Sequence, residues 1–123
     1  GEYPFESTRI WDSARRLEQD MYRKGTMQCL SFGHGKPLEI GRGGAVLLDD
    51  PVAYKTILAQ RYDGRDLTVS PWPSQKTFRV GYHYKPTIEE ATAGLEKLMQ
   101  VTIDQPAPRN VVYPDLREIT IVA

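Results

Sequence analysis

Residues 33–44 hold five glycines and one proline, and an apolar run lies on each side of them. So dense a set of backbone breakers excludes a continuous helix or strand there, so this interval must be a loop. The run before it, from Gln28 to Phe32, has the length of a strand. The run after it, Ala45-Val46-Leu47-Leu48, is apolar on both faces and is expected to be a central strand. Asp49-Asp50-Pro51 follows at once. Asp50 has the side chain of an N-cap and Pro51 suits the first helical position, so a helix is expected to start there. Strand, loop, strand and helix in that order predict an α/β fold.

The rest of the chain extends the pattern. The first seven residues predict an irregular lead-in, and Thr8-Arg9-Ile10-Trp11 a short strand. Asp12 and Ser13 can cap a helix carrying Ala14, Leu17 and Met21 at helical spacing, closed by Lys24-Gly25. After Pro51, Val52, Ile57 and Leu58 form an apolar stripe that Tyr62 extends and Asp63-Gly64 stops. Residues 65–81 are polar and contain Pro71 and Pro73, which predicts an extended loop. Thr87-Ile88-Glu89-Glu90 has the form of a capping box. The helix after it should bury Ile88, Ala91, Leu95, Leu98 and Met99. Residues 101–110 predict a proline-containing connection, and Glu118-Ile119-Thr120-Ile121 a half-buried strand. One α/β domain over residues 1–123 is expected, a small mixed sheet of about four strands with helices packed on it.

Charge and cysteine content narrow the function classes. Sixteen basic and sixteen acidic residues give a formal net charge of zero, which leaves no electrostatic footprint for nucleic acid or an anionic membrane. No apolar stretch approaches the ~20 residues that span a bilayer, and residues 1–4 lack the basic and apolar regions of a signal peptide. A cytoplasmic protein is expected. Cys29 is the single cysteine; in its apolar run a buried reduced thiol is expected rather than a nucleophile. No His, Cys, Asp or Glu cluster has metal-ligand spacing.

The glycine-rich loop also carries the chemistry. Ser31-Phe32-Gly33-His34-Gly35-Lys36 places an amine, an imidazole and flexible backbone after a strand, where open α/β sheets bind ligands. A nucleotide-binding P-loop is excluded, because it needs a glycine where Leu30 stands and a Ser or Thr where Pro37 stands. By itself Lys36 could be a solvated loop lysine, and Asp12 a plain helix cap.

A wider pattern runs through the chain. Trp11-Asp12-Ser13-Ala14 comes first, then the Ser31-to-Lys36 segment, then Gly43-Gly44-Ala45-Val46-Leu47-Leu48-Asp49-Asp50. Gly81-Tyr82-His83-Tyr84-Lys85 follows, before a helix with Ala91 and Gly94-Leu95. In content and order these segments resemble the DegT/DnrJ/EryC1/StrS sugar aminotransferases, which are fold-type I enzymes dependent on pyridoxal 5'-phosphate. The resemblance covers about residues 9–100. It implies part of a fold-type I large domain, without the family's N-terminal segment or its small C-terminal domain.

The resemblance also implies roles. Lys36 takes the Schiff-base lysine position, since these enzymes need an amine to hold the cofactor and move protons. Asp12 takes the carboxylate position that keeps the pyridine nitrogen protonated. Ala14 would lie against the ring, and Ser31 would donate to the cofactor phosphate. His83 stands where the family has an asparagine that contacts the neighbouring subunit's cofactor phosphate, which implies a homodimer. The implied reaction moves an amino group from an amino acid such as glutamate to a nucleotide-linked keto-sugar. Lys36 favours amino transfer, because the family's dehydratases carry a histidine there. Arg15 departs from the usual Gln or His, and Arg61-Tyr62-Asp63-Gly64 departs from the usual Arg-x-His-Gly. Two alternatives stand beside the enzyme: a non-catalytic truncated homologue that self-associates without cofactor, and a partner chain that supplies the absent half.

Overall fold

The computed structural model describes residues 2–101; all but the first residue of the connection expected at 101–110, and the strand expected at 118–121, lie outside the described residues. Four strands form one mixed sheet in sequence order: β1 (Tyr3–Pro4), β2 (Ile10–Asp12), β3 (Met27–Ser31) and β4 (Gly44–Leu47). Strands β1 and β2 are antiparallel, β2 and β3 parallel, and β3 and β4 antiparallel. The fold is thus the α/β class with the small mixed sheet that the sequence predicts. Its fourth described strand is Tyr3–Pro4, in the segment expected to be irregular. Tyr3 pairs with Asp12 and Pro4 with Trp11.

A parallel pair needs a crossover of a dozen or more residues, usually a helix. Residues 13–26 make this crossover without one, against the expectation from Ala14, Leu17 and Met21. Side chains take the backbone groups a helix would use. Asp12 Oδ1 accepts from Ala14 N at 2.9 Å. Gln28, fully buried on β3, accepts from Arg23 N at 2.5 Å through Oε1 and donates through Nε2 to Ser13 Oγ and Met21 O. Asp20 sits at φ +55°, which no helix tolerates. Met21 still packs inside and Ser13 is fully buried, so the apolar spacing marked burial and not helix.

Strand β4 was expected to be central. It lies at the edge of the described sheet, with alternating exposure along its length. Its register brings Gly44 opposite Ser31, where a β-carbon would collide with the Leu30 carbonyl.

Helix α1 (Pro51–Gln60) begins as its sequence demands. Asp50 Oδ1 accepts from Val52 N at 2.8 Å and Ala53 N at 3.1 Å. It ends before Tyr62, since Asp63 and Gly64 both take positive φ. A single 3-10 turn, Trp72–Ser74, interrupts the extended segment that follows. Helix α2 (Ile88–Gln100) has both arms of the capping box: Glu90 N donates to Thr87 Oγ1, and Thr87 N to Glu90 Oε2. Its apolar stripe, expected to be buried, is open: Ile88 is 82% and Met99 81% exposed. The helix docks instead by its polar flank, where Arg42 pairs with Glu90 at 3.2 Å and Gly94 faces Ile40. No described helix is long and apolar enough to cross a membrane.

Candidate active site

The parallel β2–β3 pair determines where the chemistry falls, because parallel strands end on the same side of a sheet. Asp12 closes β2 opposite Cys29, and Ser31 closes β3 two residues further on. With ~3.3 Å per residue and ~4.8 Å between strands, the Asp12 and Ser31 α-carbons lie roughly 8 Å apart. Asp12 and Ser31 therefore close neighbouring strands at the carboxyl edge of one parallel pair, where ligands bind in α/β sheets, and Ala14 and the loop bearing Lys36 follow them along the chain.

Each residue has a defined local setting. Both Asp12 oxygens are engaged: Oδ1 accepts from Ala14 N, and Oδ2 accepts from Tyr3 Oη at 2.9 Å. An ionised carboxylate has about four lone-pair sites, so acceptor capacity remains. Ser31 Oγ accepts from Gly33 N at 3.3 Å, which leaves its proton to donate elsewhere. Burial, and then the Asp12 charge, push the Cys29 thiol above its ordinary range. Cys29 is half-buried rather than buried as expected, and the raised thiol makes it a poor nucleophile at neutral pH.

Lys36 sits in a loop closed at its base by backbone. Phe32 N donates to Gly43 O and Ile40 N to Phe32 O, both at 2.9 Å; Gly33 and Gly41 form a further bridge. Leu38, in the same loop, is buried. Lys36 N donates to Gly33 O at 3.3 Å. The residue is half-buried, and among the described residues no hydrogen bond or ion pair holds its amine.

His83 is built into a separate arm. It bridges to Tyr62, and its Nδ1 donates to the Asp63 carboxylate at 3.2 Å. The ring is 80% exposed. The arm is held by a backbone contact between Gly64 and Gly81, so close that a β-carbon on either would overlap the other strand of chain. Tyr82 and Tyr84 stack beside His83, ring centroids 5.2 Å apart, and Lys85 lies over the Tyr62 ring. Among the described residues no hydrogen bond, bridge or ion pair joins His83 to the Lys36 edge.

Two neighbours of the site escaped the sequence. Tyr3 reaches Asp12 through a strand pairing that its flanking residues did not signal. Glu39 gathers the loop tip, accepting from His34 Nδ1 and Gly35 N, each at 2.8 Å; only its closeness to Lys36 along the chain could have flagged it. Among the described residues no three metal-ligating side chains converge.

An amine, a carboxylate and a hydroxyl on one sheet edge form a donor set that fits pyridoxal phosphate in kind: a covalent anchor, a partner for a protonated ring nitrogen and a phosphate donor. Comparison with curated proteins and with solved structures finds no match. Residues 14–111 match the model of the DegT/DnrJ/EryC1/StrS aminotransferase family. That span includes Ala14, Ser31, Lys36 and His83, and begins two residues after Asp12. It covers well over half of the chain, and the chain therefore belongs to the DegT/DnrJ/EryC1/StrS aminotransferase family.

Proposed function

We propose that this chain carries the lysine half of a pyridoxal-phosphate-dependent aminotransferase site acting on a nucleotide-linked keto-sugar, within a cytoplasmic homodimer. The observation that carries this reading is Lys36. In a chain of this family, a half-buried lysine whose amine has no partner among the described residues lies in the loop that follows the strand end at Ser31.

When bound, the cofactor supplies the electron sink that amino transfer requires. The protein's own part is to hold and to move protons. Lys36 Nζ is the covalent anchor and the base that carries a proton to and from the substrate carbon. Asp12 would accept the ring N–H on a lone pair that Ala14 N and Tyr3 Oη leave open. Ser31 Oγ donates to phosphate. Ala14, in the turn after β2, would present only a methyl group to the cofactor. His83, exposed on its own arm, would make the contact with a neighbouring subunit.

One observation favours a second reading. The Tyr3 hydroxyl donates to Asp12 Oδ2, so the carboxylate is satisfied within the chain without a cofactor. That is what a non-catalytic homologue needs. Incubation with pyridoxal phosphate, 15N-glutamate and a nucleotide-linked keto-sugar separates the two. The enzyme reading expects 15N in the sugar product with wild-type protein and none with Lys36→Ala. Absence of label in both contradicts catalysis by this chain.

A further inference from the structure

We infer that Glu39 is the positioning residue for Lys36, closing the loop tip around it and joining that tip to α2. Its meaning for catalysis rests on the reading of Lys36 proposed above. The loop has two levels. Its base is tied by backbone bonds from Phe32 and Ile40 and by the Gly33–Gly41 bridge. Its tip is gathered by one carboxylate, whose two oxygens take His34 Nδ1 and Gly35 N at 2.8 Å each. Gly35 sits at φ +69°, a turn conformation in which the carboxylate supplies its N–H with an acceptor. Lys36 is the next residue.

The opposite side of the clamp is a helix face. Lys97 Nζ donates to the Glu39 carbonyl oxygen, Ile40 packs against Gly94, and Arg42 pairs with Glu90. Positions 90, 94 and 97 follow the spacing of one helical stripe. A β-carbon at Gly94 would sit 3.4 Å from Ile40 Cδ1, in van der Waals contact, so the loop lies directly against the helix there. Helix α2 thus splints the loop with its polar flank. The outcome suits a covalent carrier: the backbone of Lys36 is fixed from both sides, while its amine stays free to move between partners.

The charged groups facing the Glu39 carboxylate are His34 on its own loop and Lys97 on α2. The Gly35 N–H first, and His34 next, hold this carboxyl below the ordinary glutamate range. The clamp is therefore present at neutral pH and is lost as pH falls through that lowered value.

NMR of the full chain tests it. The Gly35 amide proton should shift with pH at a midpoint below the ordinary glutamate range. Glu39→Ala should flatten that titration and loosen the Lys36 backbone on the nanosecond scale. Borohydride trapping of pyridoxal phosphate on Lys36 should then fall roughly five- to tenfold, the equivalent of losing one ordinary hydrogen bond. Glu39→Gln keeps an acceptor for Gly35 and should fall between. A Gly35 titration and Lys36 order unchanged in Glu39→Ala overturn the clamp. Should wild-type Lys36 take no pyridoxal phosphate, the proposed function fails, and the Gly35 and Lys36 signals still decide the clamp.

Discussion

The Lys36 edge and the His83 arm hold the family-like residues by different means. At the edge, side chains bond to backbone in addition to the backbone ties at the loop base: Asp12 to Ala14, Gln28 to Arg23 and Met21, Glu39 to Gly35. In the arm, backbone meets backbone through two glycines, and the side chains stay outside. A site built on side-chain acceptors can be tuned or dismantled one atom at a time. An arm built on glycine contact tolerates surface change, and it fails when a methyl group enters the contact.

The sharpest test of that contrast adds one carbon. Gly81→Ala places a methyl group into the Gly64 backbone. It should destabilise the arm by about 3–5 kcal/mol, the range of severe packing clashes. Amide exchange should rise across residues 61–84 while β2 and β3 keep their protection. Equal loss in both regions would show that the arm and the edge are one unit.

The converse change removes side-chain bonds at the edge. Gln28→Leu leaves Arg23 N–H and the buried Ser13 hydroxyl without their partner. Unfolding by urea should show a loss of about 2–3 kcal/mol, the cost of stranding buried polar groups. The His83 arm should not feel it. A neutral result would mean that the crossover is held by Met21 packing alone.

A smaller effect comes from acid. Glu2, 7% exposed at its side chain, pairs with Arg16 at 2.5 Å and with Arg23. Burial alone would raise its carboxyl, but the hydrogen bonds from Arg16 and Arg23 prevail and lower it. A carboxyl lowered on folding contributes stability above its unfolded value and loses it as pH falls through its folded one. Between about pH 5 and pH 3 the wild type should lose up to about 1 kcal/mol that Glu2→Gln does not lose, read from melting curves. Parallel curves would remove this pair from the forces that hold β1 on the sheet.

The same contrast explains what could be foreseen. Asp50-Pro51 and the Thr87–Glu90 box act within four residues, and both helix starts formed as their sequences require. The glycine loop and strand β3 were equally local. The crossover after Asp12 was not. Its helical spacing is overruled by Gln28, a polar residue in an apolar run whose partners lie 5 to 15 positions away. The α2 stripe was legible as apolar, but its spacing could not show that Glu90, Gly94 and Lys97 would be the docked face. At the site, the strand ends at Asp12 and Ser31 and the loop that bears Lys36 were legible from local pattern, whereas the roles of these residues were suggested only by the family resemblance. Tyr3 and Glu39 reach their partners through register and loop closure, which leave no spacing signal.

The central claim is that this chain presents Lys36 as a covalent anchor. It is tested most directly by incubating the protein with pyridoxal phosphate, reducing with borohydride and mapping the modified peptides. The account predicts an adduct concentrated on Lys36 and abolished by Lys36→Arg, with Asp12→Asn reducing the yield. Modification spread evenly over Lys55, Lys76 and the other lysines, or none at all, would contradict it.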